Sequence, residues 1–190
     1  MLKLLTTLAT AALATGMLAT AAQANLPPLG QGLVLVPPVH YAQPRFKRGK
    51  IVAFAAAAAP GSIVIITKQN ALYYVLGDGR AVKFKVATAR PGFEWSGTHE
   101  VSLKTAWPDW RPPEQMRRRH PELPVFMEGG PQNPLGARAI YLGSSIYRIH
   151  GTNEPESIGK SASSGCIRML NEDVKELYRH VRLGAMVMVI

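Results

Sequence analysis

The chain contains a single cysteine, Cys166, among 190 residues. No intramolecular disulfide can form, and a zinc shell built on several thiolates is excluded. Carboxylates are also scarce: 12 acidic residues against 22 lysines and arginines give a formal net charge of +10. That balance favours an anionic partner, although solubility alone also accounts for it. Long charge-free apolar sequence is confined to Leu4–Ala22, which follows the short positive start Met1-Leu2-Lys3. The run is rich in alanine, threonine and glycine rather than leucine, no basic cluster follows it, and Ala22-Gln23-Ala24 is a small-x-small sequence. These features predict a signal peptide over 1–24 rather than a transmembrane helix. No transmembrane segment is then expected in the mature chain, Asn25 to Ile190, which suits one compact domain. Export excludes nucleic acid as the partner and leaves an acidic polymer. It also makes the lone thiol conspicuous, because a free cysteine outside the cytoplasm is open to oxidation and pairing. Chance and catalysis are the two readings of it.

Residues 25–60 read as a proline-rich basic arm, holding Pro27, Pro28, Pro37, Pro38, Pro44 and Pro60 and the patch Arg45, Lys47, Arg48 and Lys50. Proline at this density favours extended chain, as a tether or a strap. From residue 61 the texture changes to a domain over 61–190. Ser62–Thr67 and Ala71–Leu76 are apolar and β-branched or aromatic, Gly77-Asp78-Gly79 marks a hairpin turn, and Arg80–Ala87 alternates. Further strands are expected at Thr98–Leu103, Ala137–Leu142, Ser145–His150 and Ala185–Ile190. One helix is predicted after Asn171 as N-cap, with Glu172 and Asp173 at its positive end and Val174, Leu177, Tyr178 and Val181 on one face. The expected fold class is mainly β, with one helix near the C-terminus. The segment 104–134, rich in proline and holding Trp107, Trp110 and Arg117–Arg119, is too long for an ordinary connection and is predicted to be an ordered lid.

His150 and Cys166 are the candidate catalytic pair. His150 ends a predicted strand, and Cys166 follows the flexible Ser161–Gly165 just before the helix. A thiolate stabilised by a nearby imidazolium, and helped by Arg168, would attack a carbonyl carbon. The amides of Gly165 and Cys166 are the natural oxyanion donors, since glycine lets the backbone approach closely. One thiol and one histidine do not make a metal site, so no metal and no cofactor is expected.

His150-Gly151-Thr152, followed by Ser163-Ser164-Gly165-Cys166-Ile167-Arg168-Met169, closely resembles the signature of the L,D-transpeptidase catalytic domain family. The resemblance extends more loosely over 61–190. It implies a β-sandwich or barrel-like fold and an enzyme of the periplasm, associated with the cell wall and acting on peptidoglycan stem peptides. It implies Cys166 as nucleophile of a thioester intermediate, His150 as proton donor and acceptor, and the Gly151 carbonyl as orienter of the imidazole. Arg168, Ser163, Ser164 and Thr152, with Trp107 and Trp110 from the insertion, are the candidate substrate-binding residues. The acceptor amine is left open: another stem, a lysine of an outer-membrane protein or a free D-amino acid. Hydrolysis with water as acceptor, and an inert wall-binding protein, are the alternatives. No separate wall-binding module is expected.

Overall fold

The computed structural model describes residues 44–190; the predicted leader and the arm as far as residue 43 lie outside the described residues. The strands are β1 (Lys50–Ala53), β2 (Ile63–Ile66), β3 (Ala71–Gly77), β4 (Arg80–Lys85), β5 (Thr88–Ala89) and β6 (Gly97–Ala106), then β7 (Arg138–Leu142), β8 (Arg148–His150), β9 (Ser161–Ser163), β10 (Ile167–Arg168) and β11 (Met186–Val189). Two α-helices accompany them, α1 (Glu114–Arg119) and α2 (Asn171–His180). The fold is mainly β. Nine strands form one mixed sheet in the order β1-β4-β3-β2-β11-β6-β7-β8-β10, and β5 pairs with β9 apart from it.

Alternation in β2 and β3 explains how both faces of this sheet are covered. Ile63, Ile65, Leu72, Tyr74 and Leu76 point into the main core, where they meet Phe84, Ile140, Ile149, Met169 and Leu177. Val64, Tyr73 and Val75 point to the opposite face, where Val52, Phe54 and Ala58 cover them. The described part of the arm, 44–60, therefore packs on the sheet instead of hanging free. Lys50–Ala53 adds an antiparallel edge strand to β4, and Phe54 stacks on Tyr73 with ring centroids 4.4 Å apart. Phe46, half-buried, packs against the main core beside Tyr74 and His180. Full burial of a phenylalanine contributes about 1.5–3 kcal/mol, and these half-buried rings gain a part of it that an extended tether would forgo.

Strand β6 carries the sheet around its bend. Gly97–Glu100 pairs with β11, and a register shift between Val101 and Leu103 passes the rest of the strand to β7. A bulge of this kind sharpens twist and bends the strand. Past the bend, β7, β8 and β10 form the edge on which the candidate catalytic residues lie.

Candidate active site

Two triplets, Arg148-Ile149-His150 and Cys166-Ile167-Arg168, share a polar–apolar–polar pattern. Strands β8 and β10 pair in parallel, with Ile167 opposite Ile149 and Arg168 opposite His150. Ile149 and Ile167 are buried in the core. Because successive side chains alternate between faces, Arg148, His150, Cys166 and Arg168 all emerge on the other one. A parallel pair needs a long connection, which residues 151–166 supply. The ladder thus carries thiol and imidazole to one cleft of about 290 Å³, lined by His150, Cys166, Arg148, Arg168, Ser163 and Ser164 among others.

His150 is buried, and its Nδ1 lies 2.6 Å from the Gly151 carbonyl oxygen. A carbonyl only accepts, so Nδ1 carries the proton of the neutral ring and Nε2 keeps a lone pair. Burial pushes the His150 pKa down to about 3; the Gly151 carbonyl pulls it up, and the charges of Arg168 and Arg148 add to the fall. A buried site flanked by two guanidinium groups disfavours the imidazolium expected from sequence.

Burial raises the Cys166 thiol above its ordinary range, while the charge, main-chain N–H and guanidinium of Arg148, and then Arg168, oppose the rise. The thiol itself reaches the Ile146 carbonyl at 4.0 Å. Burial favours the neutral form of both groups, and of the nearby cations Arg148 acts most strongly on the thiol. Sequence reading missed Arg148. Its Nε is buried and without a hydrogen-bond partner among the described residues. Arg148→Met is expected to raise the thiol pKa further and to slow iodoacetamide alkylation of Cys166 at pH 7 about tenfold for each unit of rise. An unchanged pH midpoint for alkylation would show that Arg148 does not act on the sulfur.

Gly165 has φ 114°, and a Cβ there would lie 2.7 Å from the Tyr147 ring, so glycine alone fits. Its N–H donates to Ser163 Oγ at 3.1 Å. Of the two amides expected as oxyanion donors, that of Gly165 is thereby occupied. The Cys166 amide is the remaining candidate. The Gly165 carbonyl accepts from the indole Nε1–H of Trp95 at 2.6 Å, a residue not singled out in the sequence.

A family model described as YkuD, the L,D-transpeptidase catalytic domain, matches residues 60–189. The chain belongs to this family. It is 38% identical over 137 residues to the probable L,D-transpeptidase ErfK/SrfK of Escherichia coli, covering 67% of this chain and 43% of that relative. The chain thus spans less than half the length of that curated relative. Among solved structures, an L,D-transpeptidase of Mycobacterium tuberculosis carrying a faropenem-derived adduct shares the fold at 17% identity, with a TM-score of 0.51 over 67% of this chain and 59% of the other. A Brucella melitensis structure named as a probable carnitine operon oxidoreductase is 42% identical, with a TM-score of 0.51 over 76% of this chain and 93% of that one.

In this L,D-transpeptidase domain the loops that frame His150 are held by Asn171. It is the first residue of α2 rather than its N-cap, which is Leu170 and makes no side-chain cap bond. Asn171 Oδ1 accepts from the amides of Ala137 at 2.9 Å and Thr152 at 3.2 Å, and Nδ2 donates to the Thr152 carbonyl at 2.9 Å. Its Oδ1 fills the space a Cβ would need at Gly136 and at Gly151. Tertiary hydrogen bonds have overridden the local capping preference. Asn171→Ala is expected to lower stability by about 3 kcal/mol, because it strands two amides and a carbonyl, each at about 1–3 kcal/mol. Urea unfolding measures it.

Thr152 is buried, and its Oγ1 accepts from the Glu154 amide at 2.9 Å, so it shapes the loop from within. Glu154 pairs with Arg168 at 2.7 Å at the cleft. Ser163 is buried beneath Gly165, whereas Ser164 is half-buried at the cleft wall. The insertion lines the cleft through Trp110, Pro113, Met116, Leu123 and Pro134. Trp107 does not line the cleft and is 41% exposed. Buried Asn133 orders this segment, donating to the carbonyls of Pro108, Met127 and Glu128 and accepting from the Leu135 amide. A lone asparagine in a proline-rich stretch carries no sequence signal for that role.

Proposed function

We propose that the chain is an exported cysteine transpeptidase of peptidoglycan, with Cys166 as nucleophile and His150 as general base and acid. The parallel pairing of β8 with β10, which sets His150 and Cys166 on one face at one cleft, is the observation that carries this reading. The substrate is a tetrapeptide stem. As the Cys166 sulfur attacks the carbonyl carbon between diaminopimelate and the terminal D-alanine, its proton passes to His150 Nε2. The carbonyl π pair moves to oxygen, and the Cys166 N–H receives the oxyanion; a donor of this kind contributes about 3 kcal/mol. Collapse breaks the C–N bond. The departing amine takes the proton from His150, leaving the stem as a thioester on Cys166 and D-alanine free. An acceptor amine attacks the thioester, loses its proton to His150 and forms the new amide, and that proton returns to the thiolate. The Nε2 lone pair is free to accept the thiol proton, burial makes that nitrogen a weak base, and Arg148 lowers the cost of the transfer by offsetting the charge of the transient thiolate. Such acid–base assistance typically contributes about 100- to 10,000-fold.

Positive charge around the cleft, from Arg90, Arg119, Arg148 and Arg168, supports a carboxylate-bearing substrate. A signal peptide over 1–24, a periplasmic location and a wall-linked acceptor belong to the same proposal. Incubation of the purified protein with tetrapeptide stems, followed by mass analysis of the muropeptides, tests it. Amine-linked dimers with released D-alanine are expected. Shortened stems alone would make the protein a hydrolase, and unchanged stems would leave a wall-binding protein.

A further inference from the structure

We propose that Trp95 is a positioning residue of the oxyanion site, acting through the peptide that joins Gly165 to Cys166. The inference rests on the transpeptidase reading. Trp95 lies in the loop between β5 and β6, remote in sequence from both signature segments. Its indole stacks on the Tyr147 ring, with centroids 4.1 Å apart and planes 3° from parallel. Tyr147 in turn closes against Gly165. From this stacked position the indole Nε1–H donates to the Gly165 carbonyl at 2.6 Å.

Peptide geometry turns that bond into a statement about Cys166. The Gly165 carbonyl and the Cys166 N–H belong to one planar trans unit and point in opposite directions. There is no cis peptide among the described residues. Aiming the carbonyl at Trp95 therefore aims the Cys166 N–H away from it. Ser164 and Cys166 line the cleft while Gly165 does not, which puts the Cys166 end of this peptide at the cleft. The bond also polarises the amide and makes its N–H a stronger donor. Gly165, at φ 114°, sits in a backbone region that only glycine occupies freely, and a peptide beside glycine rotates more readily than others. Without the indole, rotation of this peptide would present carbonyl oxygen to a developing oxyanion and repel it. The N–H of Gly165 cannot substitute, because Ser163 Oγ holds it.

Two reactions at the same sulfur separate positioning from folding. Acylation by faropenem builds an oxyanion, whereas alkylation by iodoacetamide does not. Both are followed by intact mass on the full chain across pH, for the wild type, Trp95→Phe and Trp95→His. Trp95→Phe keeps an aromatic ring for the stack and removes the N–H. It is expected to lose at least about tenfold in acylation rate, a fraction of the 100- to 1,000-fold that removing an oxyanion donor outright typically costs. Its alkylation rate and the pH midpoint of alkylation are expected to match the wild type. Trp95→His restores a ring N–H and is expected to recover part of the acylation rate. Undiminished acylation in Trp95→Phe overturns the proposal. So does a parallel loss of both reactions, or an unfolded variant, either of which assigns Trp95 to structure alone. Alkylation without acylation in the wild type itself would instead fell the transpeptidase reading, and this proposal with it.

Discussion

Cys166→Ala is expected to lose D-alanine release from tetrapeptide stems by about six orders of magnitude, the scale on which deletion of a nucleophile acts. The mass shift produced by faropenem should vanish with it. Stability should hardly move. Cys166 is half-buried at a cleft wall, and its thiol makes one long contact, to the Ile146 carbonyl at 4.0 Å, so alanine leaves no enclosed cavity. Retention of the adduct would transfer the nucleophile to Ser164, the other cleft-lining group that precedes β10 on an accessible loop. Ser163 is a poorer candidate, since it is buried and its Oγ is held by the Gly165 amide. Thermal melting and a coupled D-alanine assay give both answers on one preparation.

His150→Gln is expected to cut turnover by about 100- to 10,000-fold, because the amide cannot take the thiol proton. Its second signature lies in stability against pH. The folded-state pKa of His150 is depressed from 6.5 to about 3 by burial. Between those values the unfolded chain binds a proton that the native site refuses, so stability falls as pH drops through that window and is regained above about 6.5. The slope contributed approaches one proton, about 1.4 kcal/mol per pH unit. Glutamine cannot titrate, and its urea midpoints should lack that contribution. A variant with the wild-type slope would mean that the imidazole gains its proton in the native state. Turnover, by contrast, should show no acid limb from His150 near neutrality, since the ring is already neutral there.

Much of this site was readable from the sequence. Cys166 and His150, each beside a glycine, stand out by motif, β2 and β3 by their apolar, β-branched and aromatic runs, and β4 by alternation. What escaped has a common cause in long-range pairing. β8 and β10 are three and two residues long, too short to show a period, so nothing local indicated that Arg148 would lie beside Cys166. The charge state of His150 is set by burial, which spacing does not reveal. Asn171 was misread for the converse reason. Its residue type favours a helix N-cap, yet three partners from the loops around Gly136 and Gly151 claim its side chain. Lys50–Ala53 was hidden by the prolines and alanines on either side, which masked a strand that only β4 completes. Trp95 had neither a motif nor a periodic stripe to mark it.

The placement of β11 bears on how the molecule comes into being. Met186–Val189 runs parallel to β2 and antiparallel to β6, and it is the seam between the half of the sheet that begins at Lys50 and the half that bears His150. Neither half can close on the other until Val189 has cleared the ribosome. Joining the two halves therefore requires a pairing across more than a hundred positions, the kind of non-local closure that slows folding. A single seam of four strand residues thus decides when the two halves become one sheet.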